Sequence, residues 1–236
     1  MRALLYHVSR LLAQMLAAPF VKIHVLRPEV CRRRRGPWIL AANHISHFDP
    51  PLIGIAVRRK IDWMGMVELF KIPLLGRWLR AIDTFPVDRA RLDRRAVRIA
   101  LTRLRAGHAV GIFPEGGIRD GGRSVLEGAP VRPGVAGLAQ MTGAPIIPCV
   151  IIGTDRCYIL PRLWRPGRRI AVWIAFGQPL SPGSAGGRAA DRAALETSLA
   201  EAFQQLALEA RSHFNLTAED LPQSSSRRRA ESRGLP

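Results

Sequence analysis

The chain has 236 residues, 47% of them hydrophobic, which is enough for one large domain or two small ones and excludes a wholly disordered protein. Its formal net charge of +18 indicates an anionic partner: a nucleic acid, an anionic membrane surface or a phosphorylated substrate. Three cysteines, an odd number without metal-ligand spacing, argue against a disulfide framework and favour a reducing compartment.

The first 28 residues are apolar but are interrupted by charges. Arg10 and Lys22 bracket the uncharged run 11–21, which is shorter than the about 20 apolar residues that a membrane-spanning helix needs. Arg10 also falls where the apolar core of a signal peptide would lie. We therefore expect residues 1–28 to form an amphipathic helix at a membrane interface, with an ordinary helix packed on the domain as the alternative.

Strand and helix patterns alternate through the residues that follow. Strands are predicted over 38–42, 61–67, 83–87, 109–113, 146–152 and 169–176, and helices over 49–57, 73–82, 91–105, 134–142 and 189–213. This alternation predicts a single α/β domain over residues 29–215, with a mixed, largely parallel sheet flanked by helices. Residues 216–236 end in serine and arginine runs and are predicted to be a disordered tail.

An imidazole and a carboxylate follow directly after the first of these strand patterns. His44 lies where the strand ends, and Asp49 lies four intervening residues later as the expected N-cap of a helix whose first residue is Pro50. Such a pair suits a general base with its orienting carboxylate. There are two alternatives: a purely structural hydrogen bond between these residues, and a metal site that includes His47.

A glycine-rich loop, residues 113–122, follows the fourth predicted strand. Ligand sites of α/β sheets gather at the carboxyl ends of strands, so this loop is expected near His44. Gly116 and Gly117 allow backbone N–H groups to approach a ligand, Arg119 can hold a phosphate, and Glu115 can accept hydrogen bonds from a polyol. An ordinary surface turn is the alternative.

Two further segments belong to the same pattern. Arg89 ends the segment 83–89 and can make a bidentate contact with a phosphate, although taken alone it is better interpreted as a solvated arginine at the start of an arginine-rich helix. Pro145 and Pro148 interrupt the apolar run 144–150, which predicts an edge strand or the wall of a site for an apolar ligand.

In this order the four segments resemble the blocks of the glycerophosphate acyltransferase superfamily, and most closely those of bacterial 1-acylglycerol-3-phosphate acyltransferases. The corresponding blocks are the His-x4-Asp block at 43–49, the segment 83–89, the Phe-Pro-Glu-Gly block at 113–116 and the proline-containing run 144–150. The family usually continues the third block with Thr-Arg-Ser. Gly117-Ile118-Arg119 stand there instead, so the hydroxyl is absent and Arg119 comes one position later.

The resemblance implies an O-acyltransferase that moves a fatty acyl group from acyl-CoA or acyl-carrier protein to lysophosphatidate, with no cofactor and no metal. It implies His44 as the general base and Asp49 as its orienting carboxylate. The substrate-binding residues that it implies are Arg89, Glu115, Gly116, Gly117, Arg119 and Pro148. It also implies a peripheral or monotopic protein on the cytoplasmic face of a bacterial inner membrane. The changed third block leaves lyso-ornithine lipid and glycerol 3-phosphate as alternative acceptors.

The basic composition is also compatible with a nucleic-acid-binding protein. The helix predicted over 91–105 carries an arginine face, formed by Arg91, Arg94, Arg95, Arg98 and Arg105. The aromatic residues, however, do not interleave with the basic clusters, and no helix-turn-helix or zinc-finger pattern is present. We therefore expect lipid and thioester partners, and no nucleic acid.

Overall fold

A computed structural model of the chain describes residues 2–91, 93–159, 169–183 and 189–223. Its strands are β1 (Val21–Leu26), β2 (Trp38–Ala42), β3 (Ile61–Met66), β4 (Phe85–Val87), β5 (Ala109–Ile112), β6 (Ile146–Ile152) and β7 (Ile170–Phe176). Its α-helices are α1 (Arg2–Ala17), α2 (Glu29–Arg32), α3 (Asp49–Val57), α4 (Pro73–Ala81), α5 (Arg94–Arg105), α6 (Val135–Thr142) and α7 (Ala189–His213).

The strands form one sheet in the order β1-β7-β6-β2-β5-β3-β4. Every neighbouring pair is parallel except β6 and β7, which are antiparallel. Leu40 of β2 lies between Gly111 of β5 and Ile147 of β6, so β2 is central. The prediction of a mixed, largely parallel sheet flanked by helices is confirmed.

Strand β2 is buried over its whole length because helices cover both faces of the sheet. Ile39 and Ala41 face the side that carries α5, α6 and α7. Trp38 and Leu40 face the other side, which carries α3 and the end of α1. Such a strand reads as a continuous apolar run, which is why its bounds follow from the sequence alone.

The amino-terminal segment differs from the expected single helix. Helix α1 ends at Ala17, and the residues from Val21 onward form β1, a parallel edge strand beside β7. Its sequence Val-Lys-Ile-His-Val-Leu alternates apolar and polar residues over the first five positions, a strand pattern that the expectation of one helix over residues 1–28 missed. None of the described helices is both long enough and apolar enough to cross a bilayer.

Two surface helices expose apolar side chains on the side of the sheet that carries α1. Leu16 is 73% exposed and Leu74 of α4 is 81% exposed, values more typical of charged residues than of leucine. The exposed apolar residues of α1, α4 and the residue that precedes α4 are Leu4, Leu5, Val8, Leu11, Leu12, Met15, Leu16, Ile72, Leu74 and Trp78. We call this set the apolar surface.

Proline-containing strand β6 is not an edge strand. It lies between β2 and β7, and Pro148 is buried opposite Ala41 of β2. Its carbonyl accepts a hydrogen bond from Gly177 N at 2.8 Å. The edge-strand prediction for residues 144–150 is therefore wrong, and Pro148 is a core residue.

The first residues of the predicted disordered tail are ordered. Residues 218–220 form a short 3-10 helix that Thr217 and Asp220 cap reciprocally. Asp220 accepts a hydrogen bond from Arg156 at 3.0 Å, and Gln223 N donates to Asp155 at 3.2 Å. The expectation of disorder is wrong for residues 217–223, and residues 224–236 lie outside the described residues.

Candidate active site

The site begins where β2 ends, at the carboxyl edge of the parallel strands. Asn43 is fully buried and joins this end of β2 to β6. Its carboxamide donates to Ile151 O at 2.9 Å and accepts from Ile151 N at 2.7 Å. Because this pair of hydrogen bonds fixes the last buried residue before His44, the imidazole leaves the sheet from a rigid base.

His44 and Asp49 are in direct contact. His44 Nδ1 lies 2.8 Å from Asp49 Oδ2, and the carboxylate is fully buried. An ionised carboxylate only accepts hydrogen bonds, so Nδ1 carries the proton and Nε2 is left as the basic nitrogen. Asp49 is the first residue of α3 and not its N-cap, which is Phe48, so the predicted helix start was one residue late.

The Asp49 carboxylate is held by three donors besides His44. Oδ2 accepts from Ile45 N at 2.8 Å and Ser46 N at 2.9 Å, both in the loop that it closes. Oδ1 accepts from the hydroxyl of Thr154, a fully buried residue just beyond β6. These bonds orient the carboxylate and supply the hydrogen-bond donors that a buried carboxylate needs.

One face of the His44 imidazole packs against an aromatic stack. The ring centroids of His44 and Phe113 are 4.0 Å apart at 18°, and those of Phe113 and Trp63 are 5.1 Å apart at 12°. Gly111 in β5 makes room for this stack, because a Cβ there would lie 2.4 Å from the Trp63 ring. A glycine in a central strand is unfavourable by itself, and here the close approach of Trp63 explains it.

Glu115 does not meet the expectation of a polyol contact. It is 5% exposed and does not line the cavity that His44 lines. Oε2 accepts from His44 N at 2.6 Å, while Oε1 accepts from the Ser124 hydroxyl at 2.8 Å and Val125 N at 2.9 Å. Burial raises the pKa of this carboxyl, and the same three hydrogen bonds oppose that rise. Glu115 therefore ties the glycine-rich loop to the His44 loop.

The two glycines of the loop have different roles. Gly116 has φ of +68° and its N–H already donates to Phe113 O at 3.0 Å, so it is not a free donor. Gly117 is buried against the cavity, and no acceptor for its N–H is present in the described part of the chain. Of the two predicted backbone donors, only Gly117 has an N–H left for a ligand.

Three guanidinium groups surround these glycines. Arg89 donates to Gly116 O at 3.2 Å and lines the cavity. Arg132 lines it as well, and its Nε would lie 2.7 Å from a Cβ on Gly116. Arg119 N donates to His44 O at 2.8 Å, and its guanidinium lies near Gly117. Sequence reasoning identified Arg89 and Arg119 and missed Arg132, which lies 16 positions beyond Gly116 with no motif around it.

His47, the second histidine of the first block, is engaged elsewhere. Its Nδ1 lies 2.5 Å from the Tyr158 hydroxyl, which also accepts from His47 N at 3.0 Å. Burial lowers the pKa of this imidazole, and the charge of His44 lowers it further. The ring lines the cavity beside His44 and is oriented by Tyr158.

A largely apolar cavity of about 540 Å³ connects these groups. At its polar end lie His44, Arg89, Gly116, Gly117 and Arg132. Its apolar walls come from α1, α3, α4, β3, α5 and α6, and include Tyr6, Gly54, Met64, Leu75, Trp78, Leu79, Ile82, Val97 and Leu138. Pro148 does not line it, so the interpretation of Pro148 as a ligand-site wall is not met.

Comparisons with known proteins point to one family. The family model described as Acyltransferase matches residues 22–152. The 1-acyl-sn-glycerol-3-phosphate acyltransferase of Bacillus subtilis (strain 168) is 30% identical over 144 residues, which are 61% of this chain and 66% of that protein. The enzyme of the same description from Streptococcus pneumoniae (strain ATCC BAA-255 / R6) is 27% identical over 118 residues, 49% of this chain and 42% of that protein.

The fold has a solved counterpart. The crystal structure of the 1-acyl-sn-glycerophosphate acyltransferase PlsC from Thermotoga maritima superposes with a TM-score of 0.58 and 23% identity, covering 85% of this chain and 78% of that one. The chain spans slightly less than two thirds of the Bacillus relative and under half of the Streptococcus relative. The family match covers more than half of the chain and includes His44, Asp49 and the loop at 113–117. The chain therefore belongs to the acyltransferase family.

Proposed function

We propose that this protein transfers a fatty acyl group from a thioester to the free hydroxyl of lysophosphatidate, which yields phosphatidate for phospholipid synthesis. The observation that carries the proposal is the His44–Asp49 pair at 2.8 Å, placed where an apolar cavity meets a cluster of arginines. The site thus offers an apolar cavity for the fatty chain, arginines for the phosphate and a basic nitrogen for the hydroxyl.

His44 is the general base of the proposed reaction. Its Nε2 takes the proton from the acceptor hydroxyl as the oxygen attacks the thioester carbonyl carbon. Asp49 stabilises the imidazolium that forms and keeps the proton of Nδ1 in place. The carbon–sulfur bond then breaks, the imidazolium returns its proton to the leaving thiolate, and the products are an ester and a free thiol.

Gly117 is the backbone group best placed to stabilise the developing oxyanion. Gly117 lines the same cavity as His44, and its N–H has no acceptor among the described residues. A fixed backbone donor of this kind lowers the barrier because it needs no reorganisation as the charge develops. The proposal needs no covalent enzyme intermediate, since the acceptor hydroxyl itself is the nucleophile.

The arginines at the polar end are the proposed phosphate site. Arg89 and Arg132 line the cavity, and neither has a carboxylate partner within the described ranges. Guanidinium groups bind phosphate oxygens in pairs, which would hold the acceptor with its hydroxyl toward His44. Arg119 contributes its backbone N–H to the His44 loop and its charge to the same region.

The apolar surface is the proposed contact with the membrane. Its members lie on α1, on α4 and at Ile72 just before α4, and the two helices also wall the cavity through Tyr6, Leu75 and Leu79. Trp78 Nε1 donates to Ser9 Oγ at 3.1 Å and joins the helices. A lysolipid in the leaflet that the protein contacts would enter the cavity without crossing water, as a peripheral or monotopic protein on the cytoplasmic face would require.

The test is an assay of the purified protein with lysophosphatidate in vesicles and palmitoyl thioesters of CoA or of an acyl carrier protein, with the lipid product read by mass spectrometry. Phosphatidate formation supports the proposal. Glycerol 3-phosphate and lyso-ornithine lipid are the competing acceptors and are assayed in parallel. The arginine cluster favours a phosphorylated acceptor, so faster acylation of lyso-ornithine lipid than of lysophosphatidate would contradict the proposed substrate.

A further inference from the structure

Helix α5 carries an arginine face that the proposed reaction leaves unused. The face consists of Arg94, Arg95, Arg98 and Arg105, all exposed. No carboxylate in the described part of the chain forms an ion pair with any of their side chains. Arg91, just before the helix, differs because its Nε lies 2.8 Å from Asp88. The helix therefore presents four uncompensated positive charges to solvent.

The placement of these arginines does not stabilise the helix. Arg94 and Arg95 are its first two residues, at the positive end of the helix dipole, where a positively charged side chain is unfavourable. Arg94 and Arg98 are four residues apart, so their like charges repel along the same face. Asp93 caps the helix through Arg95 N and Ala96 N and offsets part of this cost. A charge pattern that disfavours its own helix indicates a role in binding an anionic partner.

The arginine face begins at the rim of the catalytic cavity. The N-cap Asp93 and Ala96 and Val97 of α5 line the cavity, and Arg94 and Arg98 lie on the exposed side of the same turns. The face continues away from the cavity to Arg105, about 16 Å further along the helix axis. It is thus longer than a single phosphate site and continuous with the entrance to His44.

The arginine face and the apolar surface lie on different sides of the sheet. Helix α5 packs with α6 and α7 on one side, whereas α1 and α3 cover the other. At the β4 edge Arg95 shares a cavity with Arg2 of α1 and Arg80 of α4, whereas Arg94, Arg98 and Arg105 do not line that cavity. A membrane that contacts α1 and α4 therefore leaves these three arginines to face the aqueous phase. The partner of this face is accordingly a soluble, acidic molecule.

We propose that the arginine face docks an acidic carrier protein, whose prosthetic arm delivers the acyl thioester into the cavity. This inference rests on the proposed function and names the donor's recognition surface. A row of four arginines suits a protein surface that offers several carboxylates, and complementary charges of this kind steer encounter and fix orientation. The carrier thiol is the leaving group of the reaction, and no further reactant is needed.

The test compares two donors that bear the same acyl chain. Arg94→Glu/Arg98→Glu removes the proposed docking charges, and Arg33→Glu/Arg35→Glu makes the same change in net charge at two exposed arginines before β2. For the α5 variant we expect kcat/KM with palmitoyl-carrier protein to fall at least about tenfold, mainly through KM, because rim charges govern association. Turnover of palmitoyl-CoA and the thermal midpoint stay at wild-type values, and the control variant matches the wild type with both donors.

Several results would overturn the inference. If the α5 variant loses the same factor in kcat/KM with both donors, the face is a site for any anionic donor. If the α5 variant no longer binds anionic vesicles, the face is a membrane contact. Wild-type protein that uses palmitoyl-CoA but not the carrier thioester would refute the docking while leaving the proposed function intact. Wild-type protein that acylates lysophosphatidate from neither donor would instead refute the proposed function.

Discussion

The hydroxyl of Thr154 donates a hydrogen bond to Oδ1 of Asp49, the carboxylate whose Oδ2 accepts a hydrogen bond from His44. The two residues are 105 positions apart in the chain and meet because β2 and β6 are parallel neighbours that end at the same edge of the sheet. Thr154 touches neither His44 nor the cavity, so it acts through the orientation of Asp49.

We expect Thr154→Val to lower kcat about tenfold with little change in KM, because Asp49 loses the donor that fixes Oδ1 while substrate contacts remain. Steady-state kinetics with lysophosphatidate measures this split. Thr154→Ser retains the hydroxyl and is expected to keep most of the activity. Equal kcat for Thr154→Val and the wild type would show that Asp49 needs no such support.

The close packing of Trp63 against Gly111 gives a second prediction. Gly111→Ala places a Cβ 2.4 Å from the indole, so Trp63 must shift and carry Phe113 and His44 with it. Overpacking of this kind costs about 1–3 kcal/mol in the free energy of unfolding. Chemical denaturation measures the loss, and acyl transfer should fall as well. Gly122→Ala, where a Cβ meets open space, is the matched control and should match the wild type in both measurements.

Arg132 is expected to recognise the phosphate of the acceptor. Arg132→Ala should raise the KM for lysophosphatidate about tenfold, because a charge-assisted contact is lost, while turnover at saturation changes less. Arg132→Lys keeps the charge and should recover part of the affinity. Arg123→Ala, an exposed arginine paired with Asp120 outside the cavity, controls for net charge. An unchanged KM in Arg132→Ala would remove this residue from the phosphate site.

A cluster of charged residues around Asp83 predicts that acid lowers the stability of the fold. Asp83 contacts Lys60, Arg103 and Arg2. Burial alone would raise the pKa of the Asp83 carboxyl, but hydrogen bonds from Lys60 and Arg103 and their charges lower it from 3.8 to about 2. The folded state thus binds fewer protons than the unfolded chain between these values, so lowering the pH across this window destabilises the fold.

Asp83→Asn should abolish that component, and its free energy of unfolding should depend less steeply on pH between 3.8 and about 2 than that of the wild type. Denaturant titrations at several pH values measure the slope. Glu201→Gln, on the exposed side of α7, is the control and should keep the wild-type slope. Parallel slopes for Asp83→Asn and the wild type would show that the cluster does not set the acid response.

The parts of the site that lie close in sequence were predictable. His44 and Asp49 are five positions apart between a buried strand and a helix, so their contact follows from local geometry. Glu115 was placed in the right loop, but a motif does not reveal that both of its carboxylate oxygens already accept hydrogen bonds within the protein. Thr154 and Arg132 depend on strand order and loop path, which no periodicity encodes.

The fold shows the same division. Strands β2 and β6 are buried on both faces and read as continuous apolar runs, so their bounds were predicted to the residue. Strand β1 is an edge strand with only one well-buried residue, Val21, and the expectation of a single amino-terminal helix missed its alternating sequence. Pro148 suggested an edge because proline lacks an N–H, yet β6 accommodates it in the centre of the sheet.

The most direct test of the account is acyl transfer by His44→Ala, compared with His213→Ala at the end of α7. His44 Nε2 is the proposed base, so we expect no phosphatidate from the His44 variant, measured by mass spectrometry, with near-ultraviolet circular dichroism and thermal unfolding like those of the wild type. His213→Ala should be fully active. Phosphatidate formation by a folded His44→Ala protein at the wild-type rate would contradict the central claim that the His44–Asp49 pair carries the reaction.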